Sequence, residues 1–279
     1  MEVLIVCLFV FGVVFLFDAL YPRFEVFLML RKRKGFSQQE GYYRSLVNKH
    51  IRYFQALNEV QQQKFLFRTY LIHKSKKFHY VGVQESPEMP VLISAVAAQL
   101  TLGLEKFSLN YFRDIYVLKH DYHYGYYSLP FMGHVDSTGI YLSWDNFLQG
   151  IRNTSDSSNV GLHEMAHALA YVNFITKTEE DRQFIKEFKN FSKIARPIFQ
   201  DMQKGKKNLL GDYASTNYHE FWAVSVEMFF ENPLRFKNEL PDLYAAMLNV
   251  LNQDPIELMK SRQNLLQGKV VNSCSHQPQ

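Results

Sequence analysis

Three residues dominate the chemistry this chain can do: His163, Glu164 and His167, spaced as H-E-x-x-H in the run from Asn159 to Val172. On a helix, positions i and i+4 lie one turn apart on one face, so both imidazoles can reach the same ion. Glu164 then lies beside the ion's open position, where it can take a proton from a metal-bound water. The pattern therefore predicts metal-assisted hydrolysis of a peptide bond. Val160, Leu162, Met165, Ala166, Leu169, Ala170 and Val172 predict a mostly buried helix around the motif. A His-Glu-His set is costly in such a helix unless each member has a partner.

Two histidines do not complete a site. A catalytic zinc takes three protein ligands and keeps a fourth position open. The downstream candidates are Glu220, Glu227, Glu231 and His219. Glu220 and Glu227 are two helical turns apart and share a face, so spacing alone does not choose between a ligand and a residue that supports one. Asn217 and Glu220 also have the spacing of a capping box, which gives Glu220 a purely structural alternative. His120, His123 and His134 form a looser group in an aromatic-rich region, and read as ordinary core or surface histidines.

The elements around the motif follow from local patterns. Tyr42 to His73 reads as mostly helical, with Asn58 and Gln61 as a reciprocal cap. Phe78 to Val83 has strand character, and Ser86-Pro87 opens a small-residue apolar helix that Gly103 ends. Aromatic and β-branched residues from Phe107 to Ser143 predict several strands, the last being Ile140 to Ser143. Its edge is the expected pairing site for an extended substrate. A polar loop, 153–159, leads into the motif helix. A helix of mixed polarity over 179–203, a loop over 205–211 and an apolar helix from His219 to Phe230 follow. Asn232-Pro233 stops that helix, and shorter helices run to about Gln267.

The chain has 279 residues and a net charge of +4, too mild to argue for direct nucleic-acid binding. Its two cysteines, Cys7 and Cys274, have no metal-ligand spacing and imply no disulfide framework. Val3 to Leu20 is apolar except for Asp18, about 27 Å long as a helix. Glu2 precedes this run, while Arg23 and the cluster Arg31 to Lys34 follow it. That asymmetry predicts a single-pass anchor in the cytoplasmic membrane with the rest of the chain in the cytoplasm. The expected organisation is an anchor over 1–22, a basic juxtamembrane linker over 23–41, a metallopeptidase domain over 42–267 and a disordered tail over 268–279.

His163 to His167, followed by Tyr213-Ala-Ser-Thr-Asn-Tyr-His-Glu220-Phe-Trp-Ala-Val-Ser-Val-Glu227, resembles the Mlc titration factor A family of zinc peptidases. The same arrangement is similar to the catalytic domain of anthrax lethal factor. Segments Leu57 to Phe65 and Met89 to Gln99 also resemble family segments, so the likeness spans roughly Tyr42 to Pro233. It implies an α+β, zincin-like fold, mostly helical with a small mixed sheet. It also implies one Zn²⁺ per chain held by His163, His167 and Glu220, with Glu164 as general base and Tyr213 assisting at the oxyanion. A peptide or protein is then the substrate. Because family members also bind a transcriptional repressor, the resemblance carries an alternative: a membrane-tethered module that sequesters such a regulatory partner, with a structural or vestigial zinc.

Overall fold

In a computed structural model of the chain, residues 28–123, 125, 130–153, 158–178 and 180–260 are described. Two compact units are present, Met1–Tyr42 and Tyr43–Gln279. In the first, residues 28–37 are helical. The predicted anchor over 1–22 and the tail over 268–279 lie outside the described residues. No helix among the described residues is long and apolar enough to cross a membrane.

The second unit is mostly helical with a small mixed sheet, as expected of a zincin-like domain. From Tyr43 on it contains most of α1 (Glu40–His50), then α2 (Arg52–Ala56) and α3 (Glu59–Ser75). At the start of α3, Asn58 Oδ1 accepts from the Gln61 backbone N–H at 2.9 Å while Gln61 Oε1 accepts from the Asn58 N–H at 3.0 Å. The reciprocal cap read from the sequence is therefore formed. Strand β1 (Lys77–Val81) leads to α4 (Glu88–Thr101), where all but the first residue is buried. The hydroxyl of Ser86 does not cap α4, contrary to expectation. Pro87 is the N-cap residue, and the Ser86 carbonyl accepts from Met89 N–H at 3.1 Å.

Helix α4 is apolar on every side because it is packed on every side, with α3 and the motif helix among its neighbours. Its C-terminal carbonyls need donors. Arg68 of α3 supplies them, donating to the carbonyls of Thr101 at 2.6 Å and Leu104 at 2.8 Å, with its guanidinium 4.3 Å from the centre of the Phe107 ring. Gly103 ends the helix because nothing larger fits. A Cβ there would lie 2.2 Å from the Leu251 carbonyl oxygen.

Strands β2 (Asp114–Leu118), β3 (Gly133–Asp136) and β4 (Gly139–Ser143) complete a sheet in the order β1-β2-β4-β3. The first three in that order are parallel, and β3 runs antiparallel to β4. One face buries Ile115, Val117, Ile140 and Leu142. The other carries a ladder of stacked rings, His79, Tyr116, Tyr141 and His134, one from each strand, with centroids 4.2–4.7 Å apart. The expected edge at Ile140 to Ser143 is overturned. That strand is interior, hydrogen-bonded to β2 and β3, and the antiparallel β3 forms the edge on that side, with β1 at the other.

Helix α5 (Trp144–Arg152) follows β4 directly and leads to the motif helix α6 (Val160–Phe174). Helix α7 (Arg182–Gln203), a 3₁₀ turn (Asp212–Ser215), α8 (Tyr218–Glu231), α9 (Pro233–Glu239) and α10 (Pro241–Leu251) complete the elements. Asp181 caps α7 and ties it back to the end of α4, accepting from the backbone N–H groups of Phe184, Glu105 and Lys106 at 3.0–3.2 Å.

Arg68→Met removes buried donors from several carbonyls while keeping the stem's volume. It is expected to destabilise the fold by about 2–4 kcal/mol, read as a lower urea midpoint at unchanged slope. A loss below about 0.5 kcal/mol would show that water satisfies those carbonyls equally well.

Candidate active site

Two helices build the site, and their contact explains why a polar set survives inside an apolar interface. Asn159 caps α6, its side chain accepting from Leu162 N–H at 3.0 Å. The Asn159 backbone N–H donates to Glu227 Oε1 at 2.7 Å, and its side-chain amide donates to Glu231 Oε1 at 3.0 Å, so the start of α6 is pinned to α8. Two turns further along, the indole N–H of Trp222 donates to the Ala166 carbonyl at 2.9 Å. Phe184, Phe188 and Phe191 of α7 pack around that indole, with ring centroids 5.0–6.1 Å away.

This clamp aims Glu220 at the motif. Glu220 Oε2 lies 2.9 Å from His163 Nε2 and 3.5 Å from His167 Nε2, and the two Nε2 atoms are 3.1 Å apart. Ligand atoms of His163, His167 and Glu220 all lie within 4.8 Å of one another, the only such group found among the described residues. Asn217 accepts from the His219 and Glu220 backbone N–H groups, so it does cap α8. The Glu220 side chain, however, does not close a reciprocal box and turns to the histidines instead. Glu227 occupies the far side of His163, with Oε2 2.9 Å from Nδ1. A carboxylate there holds a proton on Nδ1 and turns Nε2 toward the cluster. Glu220 is thus the glutamate grouped with both histidines, and Glu227 contacts His163 alone of the two.

Glu164 is 4% exposed, and its Oε2 is buried without a hydrogen-bond partner. The edge strand packs directly on it: a Cβ on Gly133 would lie 2.6 Å from Glu164 Cγ. Gly133 lets β3 and the carboxylate share that space. Burial, then the nearby Glu220 and Glu227 charges, push the Glu164 pKa up to about 8, against the opposing pull of His163. Burial disfavours the charge on His163, but Glu220 and Glu227 outweigh it and raise its pKa well above the usual 6.5. Burial lowers the His167 pKa. Burial also opposes ionisation of Glu220, yet hydrogen bonds to His163 and His167 dominate and hold it well below the usual carboxylate range.

The cluster opens into a cleft of about 540 Å³. Gly133, His134 and Val135 of β3 line one side; Phe174, Phe188 and Arg196 line another. Tyr213 reaches the cleft from the 3₁₀ turn, its ring centroid 5.9 Å from that of His163. Burial and then the Glu220 charge raise its phenol pKa, so it is a hydrogen-bond donor at neutral pH. His219 also lines the cleft, but its ligand atoms do not join the cluster. His120 pairs with Asp145, and His134 belongs to the ring ladder with Tyr122 Oη 2.8 Å from its Nδ1, so the looser histidine group forms no second centre among the described residues.

Two imidazole nitrogens and a carboxylate oxygen converge, with a second carboxylate holding one imidazole and a third left unpaired alongside. Three carboxylates around two imidazoles make an electron-rich seat, and its donors fit a divalent cation. The motif named His163, Glu164 and His167, the family resemblance added Glu220 and Tyr213, and the fold brings all five together at this cleft. Sequence reasoning missed Gly133, which carries no sequence signal of its own. It also left the role of Glu227 undecided, although a buried acid on an apolar helix facing a motif histidine was the clue. The model of the family described as glucose-regulated metallo-peptidase M90 matches residues 29–251. No curated protein matches the chain.

A Glu pKa raised from 4.5 to about 8 makes folded protein bind more protons than unfolded protein between those values. This carboxyl's contribution to stability is therefore complete below about 4.5 and is lost as pH rises through about 8. Glu164→Gln does not titrate. In metal-free protein the variant should gain stability over the parent between pH 5.5 and 7.5, by at most about 1.4 kcal/mol per pH unit. A parent-minus-variant difference that stays flat across that range would show Glu164 to be ordinarily solvated.

Proposed function

The chain belongs to the glucose-regulated metallopeptidase M90 family, the Mlc titration factor A family, and on that footing we propose that it is a zinc peptidase whose general base is Glu164. Membership implies a metal and a peptide or protein substrate. The observation that carries the finer reading is the placing of the unpaired Glu164 carboxylate beside the converged Nε2 atoms of His163 and His167 and Oε2 of Glu220. Those three residues would hold the ion. When bound, it supplies a Lewis acid for the scissile carbonyl and makes water a better nucleophile near neutral pH.

The remaining work falls to the chain. Glu164 accepts the proton of the attacking water, and a carboxyl pushed upward by burial is well matched to proton transfer near neutrality. It then returns that proton to the departing amine. Tyr213 donates its phenol hydrogen to the oxyanion that develops on the substrate. Glu227 fixes the ring plane and tautomer of His163. Strand β3 offers its outer edge, across from β4, to an extended peptide, which brings the scissile bond alongside Glu164.

Zinc content and peptide cleavage of the purified protein test this together. Chelation should abolish cleavage and added zinc should restore it. Glu164→Gln should retain the metal while losing about 10²–10⁴-fold in kcat. Tyr213→Phe should lose about 10²–10³-fold in kcat, the effect of removing one oxyanion donor. Cleavage by Glu164→Gln at the parent rate would sink the mechanism.

A further inference from the structure

One helix beside the cleft carries far more charge than the metal chemistry needs. Residues 182–207 hold eight lysines and arginines against Glu187 and Asp201, a net charge of +6 when the whole chain carries +4. On α7 the cations are Arg182, Lys186, Lys189, Lys193 and Arg196, at successive spacings of four, three, four and three residues, and all five are exposed. Such spacing puts them in one stripe. The opposite face of the same helix buries Phe184 and Phe191. Neutralisation along the stripe is slight: Lys186 Nζ is 3.4 Å from Glu187, and Lys193 Nζ donates to Asn190 Oδ1 at 3.4 Å. The stripe reaches the site, because Arg196 lines the cleft with its guanidinium 5.3 Å from the Tyr218 ring. Beyond α7 the chain continues as Lys204, Lys206 and Lys207 before the turn that carries Tyr213.

We propose that this stripe is an exosite that holds an acidic stretch of the polypeptide substrate and feeds the adjoining segment into the cleft. The proposal rests on the peptidase reading and adds a substrate class to it. From Lys186 to Arg196 the stripe runs about 15 Å at 1.5 Å per residue, the length of about five residues of extended chain. Side chains on one face of such a chain recur every ~7 Å, close to the ~5–6 Å between stacked helical positions. A narrow line of cations that ends inside a cleft suits a chain passing through it better than a broad anionic surface.

The test compares a neutral fluorogenic peptide with the same peptide extended by five Asp or Glu residues on either its N- or its C-terminal side. One extension should raise kcat/KM roughly tenfold at low salt, mainly through KM, and the gain should shrink severalfold at about 0.5 M salt. The double variant Lys189→Glu, Lys193→Glu should erase the gain and leave neutral-peptide cleavage within about twofold. Anisotropy of the labelled acidic peptide on Glu164→Gln protein should show the same dependence on salt and on those lysines. If the neutral peptide is cleaved and neither extension helps, the exosite is wrong and the peptidase stands. If the acidic peptide binds through these lysines but nothing is cleaved, the peptidase reading fails and the surface stands. Lysine-dependent binding to phosphatidylserine vesicles without binding of the acidic peptide would overturn the proposal in favour of a membrane-facing role.

Discussion

The Trp222 indole N–H and the Ala166 carbonyl meet at 2.9 Å in the buried contact between α6 and α8. The indole N–H is buried with no water to turn to, so separating the helices would strand it, while the Ala166 carbonyl keeps its own helical partner. A buried donor or acceptor left without a partner costs about 1–3 kcal/mol. The aromatic packing of α7 around the same indole adds directional resistance to sliding or rotation. With the two helices locked in register, Glu220 and Glu227, two turns apart on α8, fall on opposite sides of the His163 ring.

That arrangement explains how one helix face can hold so many ionisable groups. Each polar side chain turned into the interface meets a counterpart: Asn159 meets Glu227 and Glu231, and His163 meets both Glu220 and Glu227. The exception is Glu164, whose Oε2 has none. Its isolation follows from position. It projects between the histidines toward the edge strand, where Gly133 leaves room for a carboxylate and offers it nothing to bind. Burial then keeps its proton affinity high.

The sheet acts on the same site from the other side. Parallel pairing of β1, β2 and β4 lets one face become a continuous hydrophobic layer. The sheet ends in β1 on one side and in the antiparallel β3 on the other, and β3 is the edge strand that lines the cleft. Because β3 is held by β4 and by the ring stack ending at His134, that edge is a fixed rim of the cleft. The expectation that β4 would be the rim failed for a plain reason. Alternation shows which residues are buried, but strand order depends on crossovers that bring distant segments together.

Local signals were sound guides to local structure. The Asn58 and Gln61 cap, the buried apolar helix from Glu88 to Thr101 and the Asn217 cap are all contained within a few residues of chain, so their chemistry could be read directly. Ser86-Pro87 does mark the start of the Glu88–Thr101 helix, but Pro87 takes the N-cap place and no side chain caps it. The H-E-x-x-H spacing pointed to metal-assisted hydrolysis, since helical periodicity alone puts both imidazoles on one side. Which glutamate faces the shared Nε2 atoms and which supports His163 from behind was decided only in three dimensions. So were the closeness of Gly133 to Glu164 and the run of the α7 cations into the cleft. Each of these depends on how two elements cross, and crossing geometry is set by side chains far apart in the chain, above all Trp222 against Ala166.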